Sequence, residues 1–400
     1  MTEDFEFRCA NDNEMAQFQR LANYVFASPP GDEQLPQLLD PSWTHCAFKK
    51  EQLAAISGVF PFIVRLNGKT TPIQGVTAVG TEPEFRRRGL VRRLITDLLL
   101  RGKEEGIVGS MLLASRGAIY QRFGYGLASN MVRYEFDPKE ATFQFPMEIS
   151  GNLQRLTKDE ALPHITTVFK EYARDRNMLA LRAEVVWNRL LSDMDKDKAF
   201  CTVHFDDEHK ADGYCVFNTK WEAGTDQVLA IMDFAHTTMN AYRAIWQYLC
   251  AHDLVGKITW GNVPEDDPAP GILLEPRCLN RKTWDGIWFR VIDVAGLLAA
   301  RRYDVDGDIT IRVEGDDICP WNNGTYNLSA RGGNGTVTPS NSTDAHIICS
   351  VNALASMISG YASPQWLSQI GRISITDPSE SGYYNQLFAT RHRPVLSFDF

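Results

Sequence analysis

V-T-A-V-G-T-E-P-E-F-R-R-R-G-L-V-R-R-L, Val76 to Leu94, passes from an apolar strand through three arginines and a glycine straight into an amphipathic helix. Leu90, Val91, Leu94, Ile95, Leu98 and Leu99 recur at helical spacing. Free amides at a helix N-terminus converge on one point, and the helix dipole adds positive potential there. Gly89 lets the backbone approach a phosphate closely, and Arg87 and Arg88 add charge and forked donors. The stretch therefore reads as an anion cradle suited to a pyrophosphate. A charge run alone usually just solvates a surface. The order strand, arginines, glycine, helix sets this one apart.

The rest of the chain falls into three segments around that stretch. In residues 1–150, Phe5 to Cys9 reads as a short strand and Ala16 to Phe26 as a helix stopped by Pro29 and Pro30. Leu53–Leu66 and Ile73–Val79 read as strands joined by a hairpin turn at Asn67-Gly68. Met111 to Ala114 is a buried strand and Ala118 to Phe123 a short helix. Residues 151–292 repeat this order of elements without repeating the sequence. There, helices at Lys158–Arg176 and Glu184–Ser192 precede strands at Ala199–Phe205, Gly213–Thr219 and Gln227–Phe234. A helix at Tyr242–His252 and a strand at Lys257–Gly261 follow. Residues 293–400 open with a helix at Val294–Arg301 and continue as short strands (Ile309–Val313, Thr325–Ser329, His346–Ser350) and helices (Ala353–Gly360, Pro364–Ile370). Gly-, Asn-, Ser- and Thr-rich runs between Trp321 and Thr343 read as turns.

Composition narrows the classes. The 400 residues are 44% hydrophobic and 23% charged, which is ordinary globular usage. No apolar run reaches the roughly 18 residues of a membrane span. The acidic start M-T-E-D-F-E-F-R lacks a signal peptide's apolar core, so the expectation is a cytoplasmic protein. A formal net charge of −9 argues against a nucleic-acid partner and is compatible with a cationic substrate. The eight cysteines lack a C-x-x-C pair and read as reduced thiols, with no metal expected.

The cradle resembles the Q/R-x-x-G-x-G/A coenzyme-A signature of the GNAT N-acetyltransferases, with Arg86 in its first slot and Gly89 in its fourth. Val91 stands where many members carry Gly or Ala. The Eis-type (enhanced intracellular survival) branch tolerates an aliphatic residue there. Three more stretches resemble that branch: A-I-Y-Q-R-F-G-Y-G at Ala118 to Gly126, L-R-x-x-x-x-W-x-R at Leu181 to Arg189, and R-V-I-D-V-x-x-L-L-A-A-R-R-Y at Arg290 to Tyr303. The aromatic end, Ser397-Phe398-Asp399-Phe400, fits as well. The resemblance implies an α/β chain of two fused GNAT folds, each a mixed sheet with flanking helices, plus an α+β sterol-carrier-like C-terminal domain.

By the same resemblance, Val79, Gly80 and Thr81 would meet the pantetheine arm of acetyl-CoA. Arg87, Arg88, Gly89, Leu90, Val91 and Arg92 would hold its pyrophosphate, and Tyr120 and Gln121 would line the thiol end. It also implies lysine-type or aminoglycoside amines as acceptors, and a cyclic homo-oligomer, a hexamer. The second fold is not expected to bind the cofactor, because A-H-T-T-M-N-A-Y follows its strand with neither arginines nor glycine.

Acetyl transfer to an amine needs two proton movements. An amine of pKa ~10.4 must lose a proton, and the departing thiolate needs one. Tyr125, between the glycines of F-G-Y-G, is the candidate acid, although a core tyrosine would fit the same pattern. The resemblance matches it to the family's proton donor. Leu396, Phe398 and Phe400 alternate with polar residues, so the chain end reads as a packed strand rather than a frayed tip. Its terminal carboxylate is the base that the resemblance implies. Two rival readings stand: an acyl-CoA transferase with another acyl chain or acceptor, and a lipid-binding module on a non-catalytic GNAT scaffold.

Overall fold

The computed structural model describes residues 4–27, 39–145, 148–196, 198–222, 226–398 and 400. The chain divides into two compact units: residues 1–129 with 286–390 and 399–400, and residues 130–285 with 391–398. Among the described residues, two seven-stranded sheets and one five-stranded sheet carry the architecture, and each contains one parallel pair among antiparallel neighbours. Among the described residues, no helix is long and apolar enough to cross a membrane.

The first sheet grows from one long hairpin. Strands Gln52–Leu66 and Lys69–Thr81 pair along their length, and Asn67 (φ 49°) and Gly68 (φ 94°) turn between them. Two successive residues at positive φ give the turn whose twist matches paired strands. Helix Leu90–Glu104 then crosses over and buries Leu90, Leu94, Ile95, Leu98 and Leu99, as their spacing predicts, before strand Gly109–Leu113 returns in parallel. Helix Met15–Phe26 ends on Ala27 in the left-handed region; Pro29 and Pro30 lie outside the described residues.

Sheet membership does not follow chain order. Strand Ile287–Val291 inserts between Gly109–Leu113 and Gly126–Leu127 in the first sheet. Strand Asn130–Phe136 lies in the second sheet, between Lys282–Asp285 and Val255–Val263. The second sheet otherwise repeats the first, with helix Met239–Cys250 crossing from strand Gln227–His236 to its parallel partner Val255–Val263.

The C-terminal sheet runs Asn334–Ser340, Gly324–Arg331, Gly307–Glu314, Ile347–Ser350, Ile373–Ile375. Two expectations fail here. Gly332 and Gly333 turn a hairpin: its first strand, Gly324–Arg331, covers the strand expected at Thr325–Ser329, but its second, Asn334–Ser340, lies in a run expected as a turn. Its outer strand alternates exposed and half-buried residues, so it never shows the apolar face that marks a strand. Residues 395–398 are not a strand either. Val395 N–H donates to Asn177 O, the chain bends at Ser397 and Phe398, and Ser397 is held through its side chain rather than by a ladder.

Candidate active site

The site in the first unit begins where two strands part. Lys69–Thr81 and Gly109–Leu113 pair at Gln74–Ser110 and Gly75–Met111, and the ladder stops there. Beyond it a wedge opens between Val76–Thr81 and Leu112–Leu113. On the other edge of the same strand, Thr77 pairs with Gly58 and Gly80 with Ile56, so Ala78 and Val79 together face Ser57. Ala78 takes φ 51°. Such a bulge frees a backbone amide from the ladder, and that amide needs an acceptor from elsewhere. Thr81 Oγ1, at the open end of the wedge, is buried and finds no hydrogen-bond partner among the described residues.

The arginine turn follows. Arg86 is extended (φ −62°, ψ 157°), Arg87 takes φ 62° and Gly89 φ 83°. Arg93 N–H donates to Gly89 O at 3.1 Å as the helix ladder begins, which leaves the amides of residues 87–92 ahead of it. Arg86 Nε donates to Thr81 O (3.3 Å) and Arg88 Nη2 to Glu84 O (3.1 Å), so these two side chains brace the turn. Arg87 and Arg92 are exposed. A Cβ placed on Gly89 would meet nothing within 4 Å, so the glycine serves the positive φ and leaves its outer side open. Val91 packs its side chain on the apolar cluster that holds Val76, Val79, Tyr120 and Tyr125. Val91 is half-buried, and that packing suits an aliphatic residue in its slot.

Tyr125 is turned inward by the end of helix Gly117–Gln121. Gly124 N–H bonds Gln121 O (3.0 Å), Tyr125 N–H bonds Tyr120 O (3.3 Å), and Gly124 takes φ 84°. The tyrosine is fully buried, with its hydroxyl 2.9 Å from Ser110 Oγ and its ring edge-on to Tyr120 at 5.9 Å. Burial pushes the Tyr125 hydroxyl well above the ordinary tyrosine range, while the Ser110 hydrogen bond and the nearby Arg290 charge pull it back. Burial pushes Tyr120 up to about 12. Both phenols are protonated at neutral pH. Gln121 keeps its side chain in solvent, and Gly80 turns toward Val25 and Ile56, so Gly80 brings backbone alone.

Phe400 reaches the same rung. Its ring lies edge-on to Phe62 at 4.9 Å and 3.0 Å from where a Cβ on Gly75 would stand. Successive strand residues point to opposite faces. Gln74 and Ser110 face helix Leu90–Glu104, where Gln74 Nε2 donates to Leu98 O (3.2 Å), and Gly75 faces away. Tyr125 therefore arrives on the helix face and Phe400 on the other, at the point where the strands part. Ser110 was not singled out from the sequence. The signal was there: a serine inside the apolar run G-S-M-L-L needs a partner when buried.

In the second unit the frame recurs without the cradle. Its parallel pair stops after Ile231–Trp260, and Met232 is bulged. The helix start is already occupied: Thr238 caps Ala241 N–H (3.1 Å) and donates to Asp212 Oδ2 (2.6 Å). A phosphate at this helix start would meet a carboxylate. The cleft beside it is lined by Phe169, Tyr172, Phe234 and Trp260 together with the chain's own Val395 and Ser397. Among the described residues, no group of three His, Cys, Asp or Glu side chains could hold a metal.

A parted parallel pair, a bulged strand and an open arginine turn at a helix start define an acyltransferase of the N-acetyltransferase class. Comparison with known proteins agrees. Acetyltransferase (GNAT) domain models match residues 6–128 and 179–291, together more than half of the chain, and a sterol carrier protein domain model matches 294–397. The chain belongs to the GNAT N-acetyltransferases, and its relatives include Eis-type members. N-acetyltransferase Eis of Mycobacterium tuberculosis is 27% identical over 82% of this chain and 81% of its own. An uncharacterized N-acetyltransferase of Streptomyces avermitilis is 26% identical over 98% of both. Two solved structures share the fold. A GCN5-related N-acetyltransferase from Anabaena variabilis has a TM-score of 0.88 at 21% identity, covering 99% of this chain and 100% of that one. Eis1 from Mycobacterium abscessus has a TM-score of 0.83 at 24% identity with the same coverage.

Proposed function

We propose that this N-acetyltransferase moves acetyl from acetyl-CoA directly to a primary amine of lysine or aminoglycoside type. The observation that carries the reading is the wedge with the arginine turn beside it. The amides of residues 87–92 and the Arg87 and Arg92 guanidiniums suit a pyrophosphate. The orphaned Thr81 hydroxyl and the freed amides of the bulged strand suit the amide-rich pantetheine arm. An amide at Ala78–Val79 is also available to the acetyl oxygen, where charge builds up in the transition state.

In the reaction, the amine nitrogen attacks the thioester carbon, a C–N bond forms, and the C–S bond breaks. The proton lost from nitrogen goes to a base, for which the Phe400 carboxylate is proposed, acting directly or through a water. The sulfur leaves as a thiolate beside Tyr125. A buried phenol is a weaker acid than a thiol of pKa ~8.5. Tyr125 accordingly stabilises the sulfur by donating a hydrogen bond as the C–S bond breaks, with proton transfer late. Ser110 and Arg290, which make the phenol more acidic, assist that transfer.

The test is thiol release from acetyl-CoA with kanamycin and with Nα-acetyl-lysine amide as acceptor probes. Turnover above the no-amine rate with either probe supports the reading. Background release with both, from protein that binds coenzyme A, would refute an amine acceptor of this type. The same proposal carries a cytoplasmic location and a homohexamer, the latter checked by light scattering.

A further inference from the structure

The turn that carries Tyr125 is held by residues from the sterol-carrier-like part of the chain. Asn352 Nδ2 donates to Tyr125 O (2.8 Å) and to Gln121 O (3.0 Å), so one amide ties the end of helix Gly117–Gln121 to the tyrosine itself. One helical turn on, Ser356 Oγ donates to Leu127 O (2.7 Å). Between these two bonds the backbones nearly touch. A Cβ on Gly126 would fall 2.0 Å from Asn352 O, and a Cβ on Gly124 would fall 2.9 Å from Val351 Cγ1.

Asp316 acts from below. It binds the buried Arg290 guanidinium through both oxygens (2.6 and 2.8 Å) and also accepts from Asn322 Nδ2 (3.0 Å) and Cys319 N–H (3.0 Å). Arg290 in turn lies under Gly124, with Nε 2.7 Å from where a Cβ would stand. Helix Val351–Ile358 buries seven of its eight residues, so it is firmly packed where it meets the turn.

We propose that helix Val351–Ile358 of the sterol-carrier-like part serves as a clamp that positions Tyr125, with Asn352 as the positioning residue at its centre. The proposal rests on Tyr125 being the group that meets the leaving sulfur. Fixing the two ends of the five-residue turn Gln121–Tyr125 sets the hydroxyl's direction, and misplacement by about 1 Å costs up to ~10²-fold in rate. A carrier domain fused to this enzyme would thus act as part of the catalytic frame.

The experiment is a double-mutant cycle on the full chain, with acetyl-CoA and kanamycin as probes. Asn352→Ala is expected to lower kcat roughly tenfold, with the acetyl-CoA KM within about twofold and the unfolding midpoint nearly unchanged. In a Tyr125→Phe background the same change should cost nothing further, because Asn352 works through the hydroxyl that is already gone. Ser356→Ala, a milder loss on the other side of the turn, should show the same non-additivity at about threefold. Wild-type kcat in Asn352→Ala, beside a crippled Tyr125→Phe, overturns the clamp alone. So does a full tenfold loss on top of Tyr125→Phe. A fully active Tyr125→Phe overturns the acid reading, and the clamp with it.

Discussion

Replacing Arg87 by glycine separates the charge of the cradle from its geometry. Arg87 sits at φ 62°, a region where a residue with a Cβ carries roughly 1 kcal/mol of strain. Glycine removes that strain, but it frees the unfolded chain by a comparable ~0.4–1 kcal/mol. The two nearly cancel, so the thermal midpoint should move by less than about 2 °C. The guanidinium is lost outright. A charge-assisted hydrogen bond contributes ~1.5–3 kcal/mol, and Arg87 is exposed, so the lower end applies. About 1.4 kcal/mol is tenfold, and the acetyl-CoA KM should rise by about that factor while the amine KM changes less. Arg87→Ala should weaken the cofactor equally and keep the strain. In the wild type, raising salt should also raise the cofactor KM, more steeply than in the variant. Initial rates of thiol release over an acetyl-CoA series read all of this. An unchanged KM in Arg87→Gly removes this side chain from the site. A raised KM with a collapsed midpoint makes its role structural.

Other consequences follow from the same geometry. Tyr125→Phe keeps the ring and should lower kcat roughly 10²-fold with both KM values nearly constant, and a loss under about twofold would hand the sulfur to another donor. If the Phe400 carboxylate acts on the amine, two residues added after Phe400 should harm kcat as much as deleting it; a folded, C-terminally extended protein with full kcat leaves only the packing on Phe62 and Gly75. In the second unit, burial raises Asp267 to about 6 from 3.8, against hydrogen bonds from Ala269 N–H, Tyr242 and Tyr134. The folded state thus holds this proton more tightly than the unfolded one, so the contribution to stability is complete below pH ~4 and lost as pH rises through about 6. Asp267→Asn titrates at neither pH, and relative to wild type it should be more stable at pH 7 than at pH 4 by roughly 1–3 kcal/mol in urea unfolding. An equal difference at both pH values would refute a perturbed Asp267.

Local order alone made much of this protein legible. The run Val76 to Leu94 encodes a strand, a turn with positive φ and a helix through neighbours in sequence, so this local order could be read without a structure. The Asn67-Gly68 hairpin and the two-fold recurrence of strand–helix–strand are local in the same sense. The flanking glycines placed Tyr125 at a bend, while its role as the acid came from the resemblance and not from residue type. What tertiary structure alone decided is partnership. Period-two patterning says which face a strand buries and nothing about its neighbour. Hence Ile287–Val291 could not be read as an interior strand of the first sheet, and Asn334–Ser340, with no buried face, was not read as a strand at all. Ser110 meets Tyr125, Gly75 receives the Phe400 ring, and Asn352 grips the turn that carries Tyr125, each across a separation in sequence. Each of these depends on where a strand pair stops or how closely two backbones approach, and those distances are set by packing of the whole unit rather than by any window of its sequence.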